Sequence, residues 1–121
     1  MKEWNTGLMA HLGMRFVEVG PDKAVAELDV RGELATVGGA VHGGALMALA
    51  DTVGAAGTAA MGLRTATLES KTNFFAAALQ GKIRAESTAL HKGKRTHVWQ
   101  TRVTDESGRL LALTIQTQMI L

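Results

Sequence analysis

Apolar and polar positions give the chain three stretches of different rhythm. Over residues 23–30, Ala24, Ala26, Leu28 and Val30 alternate with Val25, Glu27 and Asp29, the period of two expected of a half-buried strand. Residues 12–19 are also strand-like, and Gly20-Pro21-Asp22 between the two stretches is a turn signal. A short N-terminal segment able to form a helix precedes them. From Ala45 to Met61 the alternation disappears, and small apolar residues run on with Asp51 among them. This predicts a helix closed by Gly62. Because it is apolar nearly all round, it is expected to be buried rather than amphipathic. Gly54 and Gly57 weaken its propensity, which implies that neighbouring backbone packs very close to it. After it, Thr65–Phe75, Lys82–Leu90, Lys94–Thr104 and Arg109–Ile120 read as strands, separated by turn signals at Gly81, His91-Lys92-Gly93 and Asp105-Glu106-Ser107-Gly108. Short connections between consecutive strands imply an antiparallel meander. One long buried helix with an antiparallel sheet wrapped around it is an α+β arrangement, and residues 1–121 are expected to form a single domain.

Composition narrows the function classes. The chain has no cysteine, which excludes disulfides, thiolate chemistry and Cys-ligated metals. Its four histidines, His11, His42, His91 and His97, show no metal-binding spacing, so no metal is expected. The N-terminus shows no cationic stretch followed by a long apolar run. The Ala45–Met61 run is short for a membrane span and carries a carboxylate. A cytoplasmic protein without membrane contact is the expectation. Thirteen basic and eleven acidic residues leave a formal charge of +2, too balanced for a broad nucleic-acid-binding face. Smaller anions, such as the phosphates of a nucleotide handle, remain plausible. A domain this small buries only part of its surface, which favours self-association.

Two elements carry candidate chemistry. Asp51 lies among Ala48, Leu49, Ala50, Thr52 and Val53, where a carboxylate is costly unless it has partners or a purpose. A structural aspartate and a catalytic one fit the helix equally well. The second element is Gly39-Ala40-Val41-His42-Gly43-Gly44 at the helix entrance. The first amides of a helix lack intrahelical acceptors and sit at the positive end of its dipole. Flanking glycines let a carbonyl approach them, and they could hold an oxyanion as it develops on an ester or thioester. Alone, paired glycines before a helix are common in turns, and a lone histidine is more often a packed loop residue than a catalyst.

The spacing is more specific than either element. G-x-x-H-G-G, then L-x-D in an Ala-rich helix, then Thr67-Leu68-Glu69-Ser70-Lys71-Thr72-Asn73-Phe74-Phe75, resembles the hotdog-fold thioesterases, most closely the branch of the phenylacetate-degradation thioesterases. The resemblance runs from about Leu12 to the C-terminus and is strongest over 39–75. It implies that Asp51 is the catalytic carboxylate, that the Gly43 amide polarises the thioester carbonyl, that His42 shapes the loop, and that Thr67 helps position the attacking water. Relatives often carry Asn six residues before the motif histidine. Here Thr36 stands at that position, with a hydroxyl of shorter reach and no amide. Relatives also commonly have Pro soon after the Asn-Phe pair, where this chain continues Ala76-Ala77-Ala78. Thr36 and Gly44 are expected to contact substrate.

Lys92-Gly93-Lys94-Arg95, with Lys71, Lys82, Arg84 and Arg102 nearby in sequence, reads as ordinary surface charge residue by residue. As a cluster, under the family resemblance, Lys92, Lys94 and Arg95 are expected to contact the phosphates of coenzyme A. Trp99 is expected to be packing rather than a substrate platform. Met9, Met14, Met47 and Met61 fit core filling more readily than an acyl pocket.

Gly43 and Asp51 are eight residues apart, about 12 Å along a helix, too far for one helix to offer both to one reacting carbon. The expected protein is therefore a homodimer with its site at the subunit interface, and the family resemblance implies further assembly into a homotetramer and hydrolysis of a short- or medium-chain or aryl acyl-CoA to free acid and CoA. Asp51 is expected to be the general base on water, with the alternative that its carboxylate is the nucleophile and forms an anhydride, and no cofactor is needed beyond the CoA that belongs to the substrate. The rivals are a non-catalytic acyl-CoA-binding hotdog module and a hotdog dehydratase or hydratase. The dehydratases pair His and Asp in a motif this chain lacks.

Overall fold

The protein's structure, a computed structural model, describes residues 4–121. Met1–Glu3, on which the reading of the N-terminus partly rests, lie outside them. The chain forms α1 (Gly7–Leu12), β1 (Arg15–Val19), β2 (Lys23–Asp29), a 3-10 turn (Gly32–Leu34), α2 (Gly43–Ala60), β3 (Thr65–Phe74), β4 (Lys82–Lys92), β5 (Thr96–Thr104) and β6 (Leu110–Ile120). Just beyond α2, Gly62 closes the helix: its N–H donates to the Ala59 carbonyl, and its φ of +79° is the left-handed conformation expected of a helix-closing glycine. Among the described residues no helix is long and apolar enough to cross a membrane.

All six strands join one antiparallel sheet in the order β1-β2-β4-β5-β6-β3. The α+β expectation holds, but the meander is confined to β4, β5 and β6. β3 pairs with β6 and forms an edge, and β2 takes the place beside β4. A meander needs a tight turn, and none closes β3 on β4. Residues 75–81 leave the edge strand, held on the way by Phe75 N–H donating to the Leu111 carbonyl and Val41 N–H to the Ala78 carbonyl.

α2 lies across the concave face. Leu46, Leu49, Ala50, Val53 and Ala56 are buried with Ala26, Leu28, Ile83, Ala85, Val103 and Leu111 of the sheet. The expectation that α2 is buried all round does not hold for the single chain. Gly44, Met47, Ala48, Asp51, Thr52, Ala55 and Ala59 form a partly exposed stripe, because the sheet reaches round only one side of the helix.

The close approach signalled by the helical glycines is real, but side chains make it rather than backbone. A methyl group on Gly57 would overlap the ring of Trp99, and one on Gly54 would overlap the amide of Gln116. Trp99 is fully buried, as expected of a packing residue, and its Nε1 donates to Thr58 Oγ1 at 2.9 Å. The Thr58 hydroxyl lies 2.8 Å from His97 Nδ1. The hydroxyl keeps a second lone pair beside the one facing Trp99, so it pairs with the His97 ring as donor or as acceptor according to the imidazole tautomer. Burial, then the charges of Lys92 and His91, hold His97 below the usual histidine range.

Two outcomes follow from this packing. Gly57→Ala gains about 1 kcal/mol of helix propensity, but overpacking against an enclosed ring costs about 1–3 kcal/mol or more. Urea unfolding should therefore show a less stable protein. Stability should also fall with acid. Below pH about 6.5 the unfolded chain takes up a proton that folded His97 refuses, so the contribution of His97 is complete above that pH and lost below it. Urea midpoints read by Trp fluorescence should decline from pH 8 to 5.5, with a shallower slope in His97→Gln.

Candidate active site

Asp51 occupies the exposed stripe of α2, half-buried beside the start of β3 and the end of β6. Thr67 Oγ1 donates to Asp51 Oδ1 at 2.6 Å. Gln116 Nε2 lies 3.2 Å from the same oxygen and 3.1 Å from the Asp51 carbonyl. Behind them, Gln118 Nε2 donates to Thr67 Oγ1 at 2.8 Å, and Thr65 Oγ1 donates to Gln118 Oε1 at 2.8 Å. Asp51 Oδ2 has no hydrogen-bond donor among the described residues. The carboxylate is tethered through one oxygen and open at the other.

The sheet is built to supply these donors. β3 carries a bulge between Thr67 and Glu69, which re-aims the strand beside Asp51. On β6 the usual alternation is inverted. Thr114, Gln116 and Gln118 are buried against α2, while Ile115 and Met119 on the outer face are each 39% exposed. Gln116 reaches Asp51 only because Gly54 carries no side chain, and its own Oε1 stays buried without a partner. Leaving a buried acceptor unsatisfied costs about 1–3 kcal/mol, so this strand gives up stability to hold the carboxylate.

At the other end of the stripe, His42 is the N-cap of α2. Its Nδ1 accepts from Gly44 N–H at 2.7 Å, a role usually filled by Ser, Thr, Asp or Asn, and its ring proton is then carried on Nε2. Gly44 was expected to contact substrate, yet its amide is already occupied. The Gly43 amide has no acceptor among the described residues. A Cβ on Gly43 would stand 3.1 Å from the Phe74 ring, which explains glycine at that position.

These two ends line separate clefts with no residue in common. One cleft, of about 590 Å³, has Asp51, Thr67, Thr65 and Gln118 on its polar wall and Trp4, Met9, Ala55, Ala59, Leu63 and Leu121 on its apolar wall. The other, of about 280 Å³, is lined by His42, Gly44, Ala45 and Ala48 of the α2 stripe, with α1 and the 3-10 turn opposite. Thr36 belongs to neither. It lies exposed in a hairpin in which its N–H donates to the Ala40 carbonyl at 2.7 Å.

Lys92, Lys94 and Arg95 stay together at one end of β4, but the wider set of basic residues read along the sequence comes apart in space. Lys82 and Lys92 are at opposite ends of β4, ten residues apart, or about 33 Å. Arg84 pairs with Glu86, and Lys92 Nζ lies 2.5 Å from Asp22 Oδ1. Lys94 and Arg95, in the β4–β5 turn, have no acidic partner among the described residues. Sequence reading missed Arg64, which lines the Asp51 cleft. The Arg64 and Arg95 carbonyls accept from Leu121 and Ile120 N–H, so consecutive residues of one strand end hold the two arginine backbones. The position of Arg64 just ahead of Thr65 and Thr67 was the available signal.

The family profile of the Thioesterase superfamily matches residues 38–112, which include Asp51, His42, Gly43 and Thr67. The chain belongs to the thioesterase superfamily. It is a thioester hydrolase with the hotdog fold. Among curated relatives, it is 34% identical over 110 residues to the 1,4-dihydroxy-2-naphthoyl-CoA hydrolase of Listeria monocytogenes, covering 88% of this chain and 89% of that one. It is 32% identical over 117 residues to the enzyme of that name from Escherichia coli, covering 94% and 86%. Among solved structures, a thioesterase of Haemophilus influenzae superposes with a TM-score of 0.92 at 26% identity, over 99% of this chain and 86% of that one. The E. coli PaaI protein of the phenylacetic acid degradation operon gives a TM-score of 0.92 at 22% identity, over 99% and 88%, a likeness of fold. Within this thioesterase, Asp51 and Thr67 share one cleft and His42 and Gly44 the other, while Gly43, beside the Phe74 ring, lines neither.

Proposed function

We propose that this thioesterase is a cytoplasmic acyl-CoA hydrolase whose active site is completed across a two-fold subunit interface. The observation that carries the proposal is the Asp51 carboxylate, held through Oδ1 by Thr67 and Gln116 and with no donor to Oδ2 among the described residues, on the wall of an open cleft. The turn residue Asp105 is also held through Oδ1 alone, so it is the Thr67 donor chain and the motif spacing that mark Asp51 out as the base.

The chemistry is a balanced hydrolysis. The thioester carbonyl accepts from the Gly43 amide, where the helix dipole favours the oxyanion of the tetrahedral intermediate. Asp51 Oδ2 takes a proton from water as its oxygen attacks the carbonyl carbon, and Thr67 Oγ1 offers its second lone pair to that water. The intermediate collapses with cleavage of the C–S bond. CoA thiolate leaves and recovers the proton that Asp51 holds, and the free acid remains. No metal or redox group takes part in this scheme.

Gly43 and Asp51 stand at opposite sides of Met47, four residues from each on α2. A two-fold axis passing near Met47 would set two α2 helices antiparallel, with Gly43 of one protomer beside Asp51 of its partner. Met47 is 39% exposed on the open stripe, and β3 is a ten-residue edge strand on which Leu68 and Phe74 are 55% and 49% exposed. An open edge of that length is a template for strand pairing, and two copies paired antiparallel satisfy two-fold symmetry. We extend the proposal to a dimer of such dimers. The CoA phosphates are assigned to Lys94, Arg95 and Arg64, with Lys92 joining once it releases Asp22. Thr36 and Gly44 act through the shape of the loop.

Asp51→Asn keeps the size of the side chain but cannot take a proton. Thiol release from a panel of short, medium and aryl acyl-CoAs should fall about 100-fold or more in the folded variant. Retention of wild-type rates by Asp51→Asn would overturn the assignment.

A further inference from the structure

Hydrogen-bond donors run in one direction across the sheet toward Asp51, and the direction is set by chemistry rather than by choice of label. Gln118 has two possible amide orientations. If its oxygen faced Thr67, the Thr67 hydroxyl would have to spend its proton on Gln118. The 2.6 Å contact between Thr67 Oγ1 and Asp51 Oδ1 would then lack a proton, with a lone pair facing a carboxylate. Only with Nε2 toward Thr67 does every contact contain one proton: Thr65 to Gln118, Gln118 to Thr67, Thr67 to Asp51. Gln118 is fully buried, so no bulk water competes for either end of its amide.

We infer that Gln118 is a positioning residue for the hydrolysis, acting on Asp51 through Thr67. By donating to Thr67 Oγ1, it leaves the hydroxyl proton with one productive acceptor, Asp51 Oδ1. That bond, with the second from Gln116, fixes the plane of the carboxylate and leaves Oδ2 as the oxygen that meets the water. Although it belongs to the cleft wall, Gln118 has no exposed surface of its own and reaches Asp51 only through Thr67. Its effect is on the alignment of the base, so it should appear in kcat and leave KM nearly unchanged. The inference rests on the reading of Asp51 as the base.

The test uses full-length protein, an acyl-CoA that the wild type hydrolyses, and thermal melts to confirm folding. Gln118→Leu should lower kcat about ten-fold, the scale of one misdirected hydrogen bond to a charged group, with KM within about two-fold. Because the effect passes through Thr67, Gln118→Leu should add little to kcat loss in a Thr67→Val background. Gln118→Glu keeps the shape and supplies a titratable donor. Protonated, the new carboxyl can donate to Thr67; ionised, it can only accept. The ratio of its kcat to that of wild type should rise as pH falls, whereas the ratio for Gln118→Leu should stay flat. The inference is overturned if folded Gln118→Leu keeps wild-type kcat, if its loss multiplies fully with that of Thr67→Val, or if the Gln118→Glu ratio is independent of pH. If Asp51→Asn also retains activity, the functional reading fails as a whole. If Asp51→Asn is inactive and the Gln118 results go the other way, the positioning role alone fails.

Discussion

Between α2 and the sheet there is no room for a methyl group at Gly54 or Gly57, and the rest of the site depends on that approach. Gly57 admits the Trp99 ring, whose Nε1 is satisfied by Thr58 one position further along the helix. Gly54 admits the Gln116 amide, which then reaches both the carbonyl and the carboxylate of Asp51. A helix with alanine at both places would be a better helix by about 2 kcal/mol and would stand too far from β5 and β6 for these bonds to form.

The same approach explains why the inner face of β6 is polar. Thr114, Gln116 and Gln118 are buried, and Ile115 and Met119 point to the outer face. Each of these side chains makes at least one hydrogen bond, although Gln116 Oε1 is left without one, and most of the bonds converge on Thr67 and Asp51. The bulge in β3 serves the same end, because it lies beside Thr67, whose hydroxyl donates to the carboxylate. Fold and site are therefore one arrangement: the sheet grips the buried side of α2, and the open stripe carries Gly43, Asp51 and the intervening Met47.

The elements whose physics is local were legible in the sequence. The helix was closed by Gly62, the strands fell within a few residues of their expected bounds, and the close packing at Gly54 and Gly57 was visible as a propensity penalty with no local benefit. Asp51, His42 and Gly43 were legible as a spacing. Strand order was not, because nothing in a strand's own residues says that β3 will bypass β4 and pair with β6. Gln116 and Gln118 were hidden for a sharper reason: alternation alone assigns glutamine to solvent and Ile115 and Met119 to the core, and this strand does the reverse. Basic residues that looked clustered were separated by the length of β4, while Arg64, which sequence spacing did not connect to Arg95, is held at the same strand end. The expectation of an all-round buried helix failed because a single chain covers one side of α2 only.

That uncovered stripe makes the central claim directly testable through mixed subunits. Differently tagged chains carrying Asp51→Asn and Gly43→Val can be co-assembled and the heterodimer isolated. A site that takes Gly43 from one protomer and Asp51 from its partner has one intact copy in such a heterodimer, which should recover about half the wild-type rate per dimer although both parent variants are inactive. A site contained within one chain would carry a lesion in both copies. A heterodimer as inactive as its parents would contradict the account.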